Sequence, residues 1–150
     1  MSSNQPPESR QVSYEDVQYL AREVESFQQQ RSIFLQQFDL MGHTITELEN
    51  SQKSILEIQN REKNEKIFLP IGPQMLIEVG LINTESVIFL LGSNISKNIS
   101  IKEADEKLVI RINQARKAMI ELQKQINKLD ELIVTRQQFL QSLTPLERES

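Results

Sequence analysis

Apolar residues recur at alternating steps of three and four along two long stretches of this chain. The first runs through Val17, Leu20, Val24, Phe27, Arg31, Phe34, Phe38, Met41, Ile45, Leu48, Gln52 and Ile55. The second runs through Leu108, Ile112, Ala115, Met119, Leu122, Ile126, Leu129, Ile133, Arg136, Leu140 and Leu143. A 3.5-residue period held without a slip predicts coiled-coil helices. Between the two stretches the period falls to two, which predicts β-strands. Coiled-coil seams leave little room for a catalytic cleft, so function is expected to lie in shape and surface.

The ends of the elements carry their own signals. Residues 1–12 are polar, contain Pro6-Pro7, and read as a disordered tail. Ser13 is placed as a helix N-cap, with Asp16 where a capping box has Glu. The first helix is expected over about 13–63, closing at the charged stretch Arg61–Lys66. Gly42 is its weak point, at about 1 kcal/mol relative to Ala, and is assigned an outward-facing position. Lys66–Ile71 reads as a strand in which Pro70 requires an edge or a bulge. Gly72-Pro73 turns the chain into a second strand, where Met75, Ile77, Val79 and Leu81 alternate with Leu76, Glu78 and Gly80. Asn83-Thr84-Glu85 leads into Ser86–Leu91, apolar on both faces and so expected to be buried on both. Gly92-Ser93-Asn94 turns again, and Ile95, Lys97, Ile99 and Ile101 alternate through a fourth strand. Ser100 and Glu103 form a capping box for a second helix, expected over about 101–143 with Pro145 stopping it and 145–150 as a tail. The fold class is α+β, mostly α: a long antiparallel helix hairpin with two β-hairpins, over about 66–100, between its helices. Residues 13–144 form one domain.

A β block of 35–40 residues returns the chain near where the first helix ended, so the helices are expected to pair antiparallel. Two registers fit the seams. Facing residue numbers that add to about 167 set Phe38 by Leu129, Ile45 by Leu122 and Ile55 by Ile112, but also Arg31 by Arg136. A total near 160 separates the arginines and makes the free ends flush.

Such a coiled coil satisfies its own seam and leaves the strands over. Ile67, Phe68, Leu69, Ile77, Val79, Leu81, Val87, Ile88, Phe89, Leu90 and Leu91 crowd them, and no helix is left to cover both faces. Burying each large side chain contributes roughly 1.5–3 kcal/mol, and an exposed apolar edge aggregates. These residues are therefore expected to form an interface with the β blocks of other subunits.

Composition narrows the function. The chain has 150 residues, a net charge of −4 and 25% charged residues, which suits a solvated single domain but not phosphate-backbone binding, which needs a basic face. It has no cysteine, which rules out disulfides, thiolate zinc sites and a cysteine nucleophile. No apolar run approaches the roughly 20 residues that span a bilayer, and the N-terminal residues lack the apolar core of a secretory signal. A soluble, cytoplasmic protein is expected. His43 is the lone histidine, and with Glu47 it makes no metal site. No phosphate-binding glycine loop and no Ser–His–acid arrangement occurs. Carboxylates are placed on solvated helix faces, in pairs such as Glu103–Lys107. No enzyme activity, cofactor or metal is expected.

Helix, paired hairpins, helix at this length resembles the prefoldin family. Leu69-Pro70-Ile71-Gly72 with its following strand, the Ser86–Gly92 strand ending in glycine, and the Ser100–Ala104 start of the second helix resemble the alpha class of that family. Two hairpins rather than one also match the alpha type. Ile77-Glu78-Val79-Gly80 departs from it, since a more basic strand is expected there. The resemblance spans about residues 13–144. It implies an ATP-independent holding chaperone: a hexamer of two alpha-type and four beta-type subunits, with a platform of β blocks and projecting coiled coils. Their tips would bind non-native client proteins and pass them to a group II chaperonin, with no role for nucleic acid or membrane.

In a helix hairpin of this kind the tips comprise about residues 13–38 and 130–146. Tyr19, Ile33, Leu35, Val134, Phe139 and Leu146 lie off the seam there and have no duty within the chain. Phe27, Phe34, Leu140 and Leu143 would join them if the tip opens. Gln28, Gln29, Gln30, Gln36, Gln37, Gln137, Gln138 and Gln141 surround them, and such adaptable polar groups suit loose binding of varied partners. Single exposed hydrophobes are also ordinary on any surface. Arg31 and Arg136 interrupt the seams either as register keys or as long stems reaching water. The competing function is a structural tether or scaffold, for which a short turn between the helices would suffice.

Overall fold

The computed structural model describes residues 12–147 and, for side chains, residues 12–143. In chain order its elements are α1 (Tyr14–Gln59), β1 (Lys66–Gly72), β2 (Met75–Gly80), β3 (Ser86–Gly92), β4 (Ile95–Ser100) and α2 (Ile101–Glu147). This is the order read from the sequence. They divide into two compact units: residues 1–39 with 120–150, and Leu40–Met119. The tail expected over 1–12 lies outside the described residues except for Val12.

Local chemistry sets the helix ends. The Ser13 hydroxyl accepts from Asp16 N–H at 3.2 Å and donates to Asp16 Oδ2 at 2.9 Å, while Ser13 N–H donates to the same carboxylate oxygen at 3.0 Å. Asp therefore closes a reciprocal cap in place of Glu. At α2 the Ser100 hydroxyl accepts from Glu103 N–H at 3.1 Å. Two boundaries differ from expectation. The first helix ends at Gln59 rather than near residue 63, because Arg61–Glu65 closes its own turn: Glu65 accepts from Glu62 N–H and from Arg61, and Asn64 takes φ 67°. The second helix does not stop before Pro145 but continues to Glu147. A proline in a last turn removes its own N–H bond without forbidding the few residues after it.

Every expected seam position is buried or half-buried. In the first unit Val24, Ile126, Leu129 and Ile133 are the buried ones. In the second they are Leu108, Ile112 and Ala115 on the seam, with Ile99 in β4 and Ile101 and Ala104 at the start of α2. A two-helix seam has no third element to cover its flanks, which is why Phe27, Phe34, Phe38 and Met41 keep part of their surface. Contacts across the seam settle the register. The pairs Glu23/Arg136 and Arg31/Asp130 in the first unit add to 159 and 161. In the second, Gln52/Asp105 and Glu49/Arg116 add to 157 and 165. In each unit one number rises as the other falls, so the helices run antiparallel in the register near 160, with the arginines apart. Gly42 is not outward-facing as expected. It is half-buried, and a Cβ there would sit 3.9 Å from the Met119 methyl.

The strands form two separate antiparallel hairpins, β1–β2 and β3–β4. Their registers pair Ile67 with Val79 and Leu69 with Ile77, and Val87 with Ile99 and Phe89 with Lys97. Each hairpin has an irregularity one step before its turn, between Pro70 and Gly72 and between Leu90 and Gly92. Pro70 thus sits beside a bulge. Each turn keeps two unpaired residues, and the second takes positive φ: Gln74 at 60° and Asn94 at 65°. Positive φ there is the signature of a type II turn, which Pro73 also favours.

Candidate functional site: two apolar surfaces

Two surfaces carry more apolar area than the chain itself covers, one in each unit. In the first, the off-seam residues Tyr19, Ile33, Val134 and Phe139 are exposed by 45% (Phe139) to 69% (Tyr19). Leu35 is half-buried, as are the seam residues Phe27, Phe34, Leu140 and Leu143. Gln28, Gln29, Gln30, Gln36, Gln37, Gln137, Gln138 and Gln141 are all exposed around them. The Leu146 side chain lies outside the described residues. Leu132 and Ile120 in the same unit are also exposed. They were missed, although each stands just beside a seam position, as Val134 does.

Both seam arginines reach across to the opposite helix. Arg31 Nε donates to Asp130 Oδ1, and Arg136 Nε donates to Glu23 Oε2 at 3.0 Å. Neither ends in solvent alone, so register control describes them better than escape to water. In the second unit Gln52 Nε2 donates to Asp105 Oδ1 at 2.8 Å and Arg116 pairs with Glu49 at 2.6 Å.

The second surface is the hairpins. Along β3 the side chains alternate. Val87 and Phe89 are half-buried on the face they share with buried Ile99, whereas Ile88 and Leu90 are strongly exposed on the other. Burial on both faces of β3 is therefore not what the single chain provides. The reason is geometric: the face of Ile88 and Leu90 pairs with Asn98 and Ser96 of β4, while α2 reaches the face of Phe89 through Lys107 and Arg111, whose charged groups stand 5.6 and 5.0 Å from the ring centre. These are cation–π contacts. Lys107 makes this contact and not the expected ion pair with Glu103, from which no bridge within 4 Å forms. No spacing rule relates Phe89 to residues 18 and 22 positions on, so sequence could not signal this contact. In β1–β2, Phe68, Leu69 and Ile77 are exposed while Ile67, Val79 and Leu81 are half-buried, and Leu91 at the β3 irregularity is exposed. Leu76, Ile71, Met75, Ile82 and Ile95 add exposed apolar area that the sequence reading left out. Leu76 was set with Glu78 and Gly80 on the face opposite Ile77 and Val79, and there it pairs with Pro70 on the face of Phe68.

Among the described residues, no group of three or more His, Cys, Asp or Glu could hold a metal ion, and no helix is long and apolar enough to cross a membrane. His43 is exposed.

Comparison with known proteins agrees with this geometry. The family model for the prefoldin subunit matches residues 27–145. Prefoldin subunit alpha of Methanopyrus kandleri is 25% identical over 118 residues, covering 79% of this chain and 75% of the relative. The same subunit of Methanosarcina barkeri is 26% identical over 121 residues, covering 79% and 84%. The cryo-EM structure of filamentous PFD from Methanocaldococcus jannaschii superposes with a TM-score of 0.67 at 18% identity, covering 77% of this chain and 95% of that one, which is a likeness of fold. The chain belongs to the prefoldin family of chaperone subunits, and its paired hairpins and named relatives place it with the alpha type.

Proposed function

We propose that this chain is the alpha-type subunit of an ATP-independent holding chaperone in the cytoplasm. It binds non-native proteins through the helix pair of its first unit and passes them to a group II chaperonin. The observation that carries this is the set of exposed apolar residues Tyr19, Ile33, Val134 and Phe139, set among exposed glutamines on a helix pair whose seam is already filled. Unfolded chains present apolar side chains together with unpaired peptide groups. Scattered apolar contacts and adaptable amides meet both without demanding one sequence. The bound state needs no bond chemistry, so no nucleotide or metal enters the mechanism.

Assembly follows from the hairpins. Their exposed residues, Phe68, Leu69, Ile77, Ile88, Leu90 and Leu91, are covered by the β blocks of other subunits, and four beta-type subunits complete a hexamer with two copies of this chain. At 17.4 kDa per chain, a closed hexamer of similar subunits has a mass of about 100 kDa. The filamentous state of the similar solved structure is the alternative assembly.

Two measurements test the reading. Co-expression with a beta-type partner should yield the closed complex, and a stable monomer overturns the assembly. Serine at Tyr19, Ile33, Val134 and Phe139 together should leave assembly intact and abolish most suppression of aggregation of a chemically unfolded protein. Undiminished suppression overturns the client surface and favours a structural tether.

A further inference from the structure

Two seams that are otherwise apolar through the first unit each contain one arginine. Arg31 stands between Phe27 and Phe34 on α1, and Arg136 between Ile133 and Leu140 on α2. Each is answered by a carboxylate of the other helix, Asp130 and Glu23. The Glu23 side chain is only 24% exposed and that of Arg136 35%, so this pair is partly withdrawn from water. The second unit differs: the polar residue in its seam is the uncharged Gln52, bonded to Asp105, and its cross-helix ion pair, Arg116–Glu49, is more exposed and lies outside the seam. A slip of one heptad would put Arg31 against Arg136 and leave both carboxylates without their partners.

We propose that the Arg31–Asp130 and Arg136–Glu23 pairs are a salt-sensitive latch. They hold the first unit in its one register while keeping its seam easier to open than an apolar seam would be. Opening uncovers Phe27, Phe34 and Leu140 for client contact, so the latch regulates the surface named above and rests on that reading. The physical reason lies in what each alternative costs. Partly exposed ion pairs contribute little and are screened by salt. Apolar residues in their place hold such a seam at least as well. An arginine deprived of its carboxylate, in contrast, leaves a charge in an apolar stripe with no compensation.

Opposite shifts are therefore expected from two variants of the full chain in its assembled state. The readout is amide hydrogen exchange in peptides covering 17–38 and 126–143, without client. Arg31→Leu and Arg136→Leu, made together with Glu23→Gln and Asp130→Asn so that no carboxylate is left without its partner, should slow exchange about fivefold and remove its salt dependence. Glu23→Gln with Asp130→Asn should accelerate it about fivefold, and added salt should move the unsubstituted chain toward that variant. The exchanged pair Glu23→Arg with Arg136→Glu should restore the original rate. Shifts in the same direction for both variants, or an unchanged salt response in the leucine variant, overturn the latch. Aggregation suppression measured on the same samples separates the two claims. If exchange moves as expected while suppression does not change, the latch stands and the seam residues are not client contacts.

Discussion

Ile126 and Ile120 offer the most direct test of how this helix pair is held together. They are the same residue type on the same face-to-face helix, six positions apart and in the same unit. Ile126 is on the seam and 2% exposed, whereas Ile120 is off it and 58% exposed. Ile→Ala removes three carbons. At about 0.8 kcal/mol per buried methylene the transfer loss at Ile126 is about 2.4 kcal/mol. The unfilled space raises this toward about 4 kcal/mol where the surroundings cannot collapse. A seam flanked by solvent relaxes more readily than a closed core, so the lower half of that range is expected. At Ile120 less than half of the transfer term applies, and the few tenths of a kcal/mol that alanine regains in helix propensity are common to both positions and cancel. The difference between the variants should be about 2 kcal/mol. At about 2–4 °C per kcal/mol for a chain of this size, Ile126→Ala should melt about 4–8 °C below Ile120→Ala. Circular dichroism at 222 nm reads this, with all samples at one protein concentration because assembly shifts the midpoint. Equal losses would refute the reasoning, since Ile120 would then be as buried in the working protein as the seam.

Three further substitutions probe other links in the argument. Gly42→Ala should stabilise α1 by about 0.5–1 kcal/mol, because the new methyl meets only the Met119 methyl at ordinary contact distance; a lowered melting temperature counts against that packing. Ser100→Ala should cost about 1 kcal/mol through the lost cap on Glu103 N–H, and Ser100→Asn should recover most of it in the same melt. Gln74→Gly should raise stability by up to about 1 kcal/mol and Asn94→Gly by less, because asparagine tolerates the left-handed region better than glutamine does. The reverse order in urea midpoints contradicts the turn geometry.

The heptads fixed which residues would be inside because a coiled-coil seam is a local code: burial follows from spacing, and every expected position obeys it. The strand limits were equally local, set by Gly72, Gly92 and the alternation on either side. What could not be read from spacing were the choices made between distant residues. Both registers satisfied the apolar pattern, and polar pairs across the seam, among them the carboxylates that answer Arg31 and Arg136, separate them. The sequence pattern registered those arginines as interruptions, and their partners sit 99 and 113 residues away. Phe89 is a similar case. Its strand reads as apolar on both faces, but the ring lies under Lys107 and Arg111 of the same chain, while Ile88 and Leu90 stay strongly exposed on the other face. Strand period says that two faces exist and not which neighbour each one has. The residues that separate a covered face from one left exposed are therefore polar or charged ones whose partners are remote in sequence. Those are the positions where the charge-pair and cation–π contacts of this chain carry information that its hydrophobic pattern does not.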